Sequence, residues 1–146
     1  MIALPVWQPW ATLLVMGAKR VETRSRPPWS RMVGPQIAIY ATCTGLTKRA
    51  MRDTLRKPPF AEALDGVDLP TGAIVGTIVL DRASEMSAEQ VEWMTDNRPI
   101  EHAFGFYEPG RWAWVMRDPV PFLQPIETRP PKGRRGPFDW RAHELG

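Results

Sequence analysis

Cysteine is nearly absent from this chain. Cys43 is the only one, so no internal disulfide can form, and a reducing cytoplasm is the expected setting. Two histidines without a His-x-x-His spacing, and no second thiol, leave nothing from which to build a zinc site. No metal and no cofactor are expected. Long apolar runs are missing as well, and so is a basic N-terminal segment followed by an apolar stretch and a cleavage site. Neither a membrane span nor a secretory leader is therefore expected. At 146 residues the chain is read as one domain over 1–146, with a single core and no linker or repeat. A monomer is expected.

Charge is scarce in one sign or the other, depending on where one looks. Residues 1–60 hold ten Lys or Arg against Glu22 and Asp53, a balance of +8. Residues 61–110 invert it, with Arg82 and Arg98 against ten acids, a balance of −8. The remaining 36 residues return to +3 through seven bases and four acids. Such segregation predicts one electropositive face and one solvated acidic face. The basic segments also carry most of the tryptophans, which suits a phosphate-bearing partner with planar bases.

Alternating apolar residues predict strands over 2–6, 20–24, 36–42, 73–82 and 111–117. A short apolar run predicts a helix over 9–16, opened by Pro9 in a position that needs no N–H and stopped by Gly17. A basic helix follows over 47–57, ended by Pro58-Pro59; most basic faces of this kind are only solvated. An acidic helix begins at Ser87, whose spacing to Gln90 matches a capping box. Gly72 and Gly76 interrupt the clearest strand, which calls for a bulge or a close backbone approach. Residues 25–35 and 96–110 read as loops. The first carries Arg26, Trp29 and Arg31, and Trp29 there is either an edge cap or a stacking platform. The second carries Tyr107 among other aromatics, packed on the barrel mouth or lining a pocket. Pro119-Val120-Pro121 reads as a turn, and Phe138 with Trp140 anchors the tail. Cys43 reads as a small buried hydrophobe at a strand end. The pattern describes an α+β protein, mainly β, forming a small barrel with a few flanking helices.

The chemistry concentrates in Lys19, Glu22, Thr23 and Arg24. On a strand, Glu22 and Arg24 share one face and Thr23 the other. A turn at Gly17-Ala18 frees Lys19 to swing toward Glu22 and Arg24. Lys19 suits a phosphate, or acts as base or nucleophile if desolvated. Glu22 suits general acid–base work or pairing with Arg24, whose planar fork fits phosphate or a base edge. The other reading is an ion-pair cluster at the surface that merely closes the helix-to-strand turn. In both, Lys19→Ala removes a charge and no core packing.

Gln8-Pro9-Trp10-Ala11, then Gly17-x-Lys19-x-x-Glu22-x-Arg24, resembles the signature of the ASCH domain, a member of the PUA-like superfamily. Ala41-Thr42, Gly72 to Thr77, Gly110-Arg111-Trp112-Ala113-Trp114 and Gly136-x-Phe138-x-Trp140 extend the likeness over nearly the whole chain. The resemblance implies a PUA-like pseudobarrel with the opening helix and the motif flanking a cleft. It implies an RNA, nucleotide or nucleoside ligand, with Gln8, Trp10, Lys19, Arg24, Arg26, Trp29, Tyr107, Arg111 and Trp112 as the candidate binding set. Lys19, Glu22 and Thr23 are the candidate catalytic residues, should the protein be a hydrolase. One bacterial branch of the family hydrolyses acetylated cytidine with a Lys, a Thr three residues on and a later Glu. Here Lys19 is kept, Glu22 stands three residues on, and Thr23 follows it. Other relatives bind or cleave RNA, and coactivator versions act with no chemistry at all.

Overall fold

Six strands form one mixed sheet in the order β2-β5-β4-β3-β1-β6. They are β1 (Ile2–Val6), β2 (Val21–Arg24), β3 (Gln36–Ala41), β4 (Ala73–Glu85), β5 (Trp112–Glu127) and β6 (Phe138–Asp139). This is a computed structural model, and it describes residues 1–140. β1 and β3 run parallel, and every other pairing is antiparallel. The sheet is not closed: β2 and β6 are its edges. Five helices flank it: α1 (Trp10–Met16), α2 (Lys48–Leu55), α3 (Phe60–Ala63), α4 (Ala88–Asn97) and α5 (Pro99–Phe104). A mainly β domain with a few helices around it is what the periodicity predicts. No helix among the described residues is long and apolar enough to cross a membrane.

The core lies between α1 and the sheet. Leu14 and Val15 of α1 pack on Ile37, Ile39, Val75, Ile78 and Met116, all buried. Gly76 is what lets α1 come so close. A Cβ placed there would meet the Val120 carbonyl oxygen at 2.3 Å and the Val15 side chain at 2.9 Å. The ladder is bulged at the same place, between Ile74 and Gly76, so the expected close approach and bulge are both present. Gly17 ends α1 in the left-handed conformation (φ 80°), its N–H donating to the Leu14 carbonyl, as a glycine C-cap does. Ser87 and Gln90 form both bonds of the capping box. A second cluster joins Phe138 and Trp140 to Ala3, Tyr40 and Ile74, which fixes the tail. In a third, Leu13 meets Phe60, Leu64 and Phe104.

Three expectations need correction. Residues 96–110 contain a helix, α5, with Pro99 at its start and Glu101 in its first turn; that combination favours a helix N-terminus. β5 does not turn at Pro119-Val120-Pro121 but continues to Glu127, with Val120 opposite Thr77 and Pro121 opposite Gly76. Repeated register shifts along β4 and β5 open the ladder enough to carry prolines that cannot donate. Asp118 (φ 53°) takes the local kink. Cys43 is exposed, because β3 ends at Ala41 and leaves it on the loop beyond.

Candidate functional site

α1, β2, the α5–β5 connection and the tail enclose a cleft of about 1130 Å³. Its floor is the segment that follows α1. After the Gly17 cap, the Lys19 N–H donates to the Leu13 carbonyl, which turns the chain back under the helix before β2 begins at Val21. Lys19 thus stands outside the strand, free of its alternation, and its side chain turns toward Glu22.

The ion cluster is compact. Lys19 Nζ lies 3.4 Å from Glu22 Oε1 and also donates to the Val21 carbonyl. Arg24 donates from Nε to Glu22 Oε2 at 3.0 Å, and its Nη2 lies 2.9 Å from the same oxygen as an ion pair. Arg24 Nη2 also reaches the Pro5 carbonyl at 2.9 Å, and its guanidinium lies 5.6 Å from the Trp114 ring centroid. The fork expected to grip a ligand is therefore largely spent on orienting Glu22. Lys19 is only 1% exposed and Glu22 8%. This corrects the expectation that Lys19 can be removed without loss of packing: its stem fills the wall between the cleft and a smaller cavity lined by Leu14, Ile78 and Met116. A fully buried lysine is sustained only by direct partners, and the Val21 carbonyl and Glu22 are those partners.

Thr23, expected on the opposite face from Glu22, also lines the cleft. β2 is an edge strand of four residues, so the α5–β5 connection can pass across its far side. The Phe106 N–H donates to Thr23 Oγ1 at 3.3 Å, and Arg111 Nη2 donates to the Thr23 carbonyl at 3.0 Å. Arg111 also donates to the Phe106 carbonyl and lies over the Phe106 ring. Trp10 spends its indole N–H on the Phe104 carbonyl at 2.6 Å and packs edge-on against Phe60, leaving ring surface for the cleft.

Of the residues proposed from sequence, Trp10, Lys19, Glu22, Thr23, Arg24 and Arg111 line the cleft. The other five stand apart from it. Gln8 is buried beneath α1, donating to Thr12 and to the Pro70 carbonyl and accepting from the Thr12 N–H; it organises the helix start. Trp29 is half exposed with the Arg31 guanidinium over its ring at 4.9 Å. Arg26 is exposed, its carbonyl accepting from the Trp114 indole. Trp112 packs against the main core. Tyr107 is buried and stacked on His102, and burial pushes its phenol well above the usual range, helped by the charges of Glu101 and Glu22.

Sequence reasoning missed Trp7, which is 49% exposed at the cleft, and Arg134 and Arg135 of the tail, whereas Phe106, 57% exposed there, belongs to the aromatic loop read as covering the barrel mouth or lining a pocket. It also missed Glu101. Glu101 Oε1 accepts the Arg20 N–H at 2.6 Å and so latches α5 to the turn that carries Lys19. Its second oxygen is buried without a hydrogen-bond partner. Burial raises the Glu101 carboxyl, while the Arg20 N–H and Lys19 oppose the rise. A carboxyl raised in the folded state holds its proton more tightly there than in the unfolded chain. Its contribution is complete below the ordinary value near ~4.3 and is lost as pH climbs through the raised value. Glu101→Gln keeps the acceptor for Arg20 and never ionises. The variant should melt above wild type at pH 7 and level with it near pH 4; a gap that is unchanged between the two would show that ionisation of Glu101 costs nothing.

Among the described residues no group of three His, Cys, Asp or Glu could hold a metal ion. No protein-family model and no curated protein sequence matches the chain. Solved structures do. The chain superposes on ASCH from Zymomonas mobilis with a TM-score of 0.57 at 19% identity, covering 99% of this chain and 90% of that one. A serine-to-alanine mutant of that protein gives 0.56 at 19%, over 99% and 90%. A tyrosine-to-phenylalanine mutant gives 0.56 at 18%, over 99% and 92%. The chain has the fold of these ASCH structures, the domain whose signature its opening motif resembles.

Proposed function

We propose that this domain binds RNA or a nucleotide in the cleft floored by Lys19, Glu22, Thr23 and Arg24. One observation carries the reading. Among the described residues, the charged groups lining the cleft are five cations, Lys19, Arg24, Arg111, Arg134 and Arg135, against the single carboxylate of Glu22. Glu22 is already committed to two of those cations, so the uncompensated charge calls for an anionic ligand. The exposed rings of Trp7 and Phe106 offer planar surface for a base, and stacking on aromatic side chains tolerates any base. The ASCH fold supports the same reading.

Tryptophan quenching with mononucleotides and short single-stranded RNA tests it. Binding should be micromolar or weaker and should fall steeply with salt, because bound phosphates release counterions. Binding that salt does not alter would remove the basis for the reading. Arg24→Lys should weaken the affinity by about tenfold, since an ammonium cannot donate to Glu22 and to the Pro5 carbonyl from the two ends of one planar fork.

A second reading, a small hydrolase acting on RNA or on a modified nucleoside, is favoured by one contact. A buried lysine beside a buried carboxylate, with a threonine on the same cleft, is a donor–acceptor set fit for proton transfer. Glu22→Gln separates the readings. If Glu22 is an acid or base, turnover of acetylated cytidine or of an RNA oligomer should drop by roughly 10²–10⁴-fold. In a binding domain the same change should spare or strengthen anion affinity.

A further inference from the structure

α5 and the residues that follow it stand over the Thr23 side of the cleft, anchored at both ends. Arg98 closes α4, its N–H donating to the Met94 carbonyl at 2.8 Å. At the far end the Met86 carbonyl accepts the Gly110 N–H at 2.9 Å, and the Met86 N–H donates to the Arg111 carbonyl at 2.8 Å. Gly110 turns the chain there at φ 90°. Between these anchors three hydrogen bonds tie the segment down. The Phe104 carbonyl accepts from Trp10, the Phe106 N–H donates to Thr23 Oγ1, and Glu101 Oε1 accepts from the Arg20 N–H. The first two occupy groups of Trp10 and Thr23, which line the cleft. The third depends on a group that titrates.

Glu101 is seated as an acid rather than as an ion. Its Oε2 and the Tyr107 hydroxyl are both buried with no hydrogen-bond partner, and Glu101 forms no ion pair among the described residues. Lys19 and Arg20, from the turn before β2, are the charged groups that act on it. Tyr107 feels the charges of Glu101 and of Glu22 on β2, and His102 stacks on Tyr107. A carboxylate with one oxygen buried and bare is costly, and water reaches that oxygen only if α5 lifts. Phe104, buried against Leu13 and Phe60, opposes the lift and keeps the raised form a minor one.

We propose that residues 99–107 form a proton-operated lid: neutral Glu101 holds it shut on Trp10 and Thr23, and ionised Glu101 releases it and frees those two residues for a ligand. The gating of a ligand rests on the nucleotide-binding reading of the cleft; the movement of the lid does not. Glu101 holds its proton more tightly with the lid shut than with it raised. The shut form is therefore fully favoured below ~4.3. It then loses up to about tenfold per pH unit until Glu101 is ionised in both forms.

Backbone amide exchange from pH 4 to pH 8 tests the lid, expressed as protection factors, which remove the intrinsic pH dependence of exchange. The His102, Gly105 and Phe106 amides, all hydrogen-bonded in the shut form, should lose protection with rising pH by up to about tenfold per unit. Glu101→Gln should hold the protection of pH 4 throughout. His102→Gln, which removes the lid's other group titrating in this range, should follow wild type. Affinity for a uridine dinucleotide, whose charge is constant over this range, should rise with pH in the same proportion in wild type and stay flat in Glu101→Gln. The proposal is overturned if wild-type protection does not change with pH, or if His102→Gln rather than Glu101→Gln flattens it. Lid amides as well protected as those of β4 would also overturn it, since the lid would then open only on unfolding, and so would a lid that opens with no change in affinity. Wild type that binds the dinucleotide at no pH would defeat the cleft reading, while the exchange would still decide the lid.

Discussion

Replacing Lys19 by alanine should lower the melting temperature by roughly 6–12 °C. Removing one partner of a buried ion pair typically costs about 3–5 kcal/mol, and the lower end applies here because Glu22 retains Arg24. For a domain of this size each kcal/mol moves the midpoint by about 2–4 °C. Two losses add together: the Nζ contacts with the Val21 carbonyl and Glu22, and a stem that walls the cleft from the cavity beneath α1. Lys19→Met distinguishes them. It refills most of the stem volume without the charge, so it should melt between wild type and the alanine variant. Both variants should lose nucleotide affinity alike, since neither carries the cation. An alanine variant melting within a degree or two of wild type would return Lys19 to the solvent-exposed cluster that its sequence neighbourhood suggests.

What the sequence makes legible here is local. Gly17 stops α1 because a cap is decided within a few residues, and Ser87 with Gln90 makes its box for the same reason. The swing of Lys19 toward Glu22 is a consequence of that cap and was equally readable. Burial of Lys19 was not, because it depends on β4 and β5 residues some 60 and 100 positions away, Ile78 and Met116. The same holds for Glu101, which sits in an acidic stretch and shows its role only when α5 reaches Arg20 across 81 positions. The motif tryptophan Trp10 lines the cleft while Trp112 packs against the core, although both read from the sequence as possible stacking surfaces. Strand alternation alone cannot say which face of an edge another segment will cover. Arg134 and Arg135 read as part of a basic tail; only the pairing of Phe138 with Ala3 brings them to the cleft.

Gly76→Ala should destabilise the domain by about 2–3 kcal/mol, near the upper end for overpacking a core, and it should weaken ligand binding although Gly76 touches no ligand. In an ordinary strand the change would help, since alanine surrenders less backbone freedom than glycine on folding. Here the new methyl group would stand 2.3 Å from the Val120 carbonyl oxygen and 2.9 Å from Val15 Cβ and Cγ1. The first neighbour is backbone of a paired strand and the second is the buried face of α1, so neither is a flexible tip that can rotate aside. The cheapest relief is for α1 to move off the sheet. That movement carries the Gly17 cap with it, and with the cap the Lys19 N–H bond to the Leu13 carbonyl that aims Lys19 at Glu22. Thermal melting and nucleotide titration of the one variant should therefore shift together. A variant that melts well below wild type yet binds with unchanged affinity would mean that the Lys19–Glu22 floor is held by β2 alone, independently of the seat of the helix.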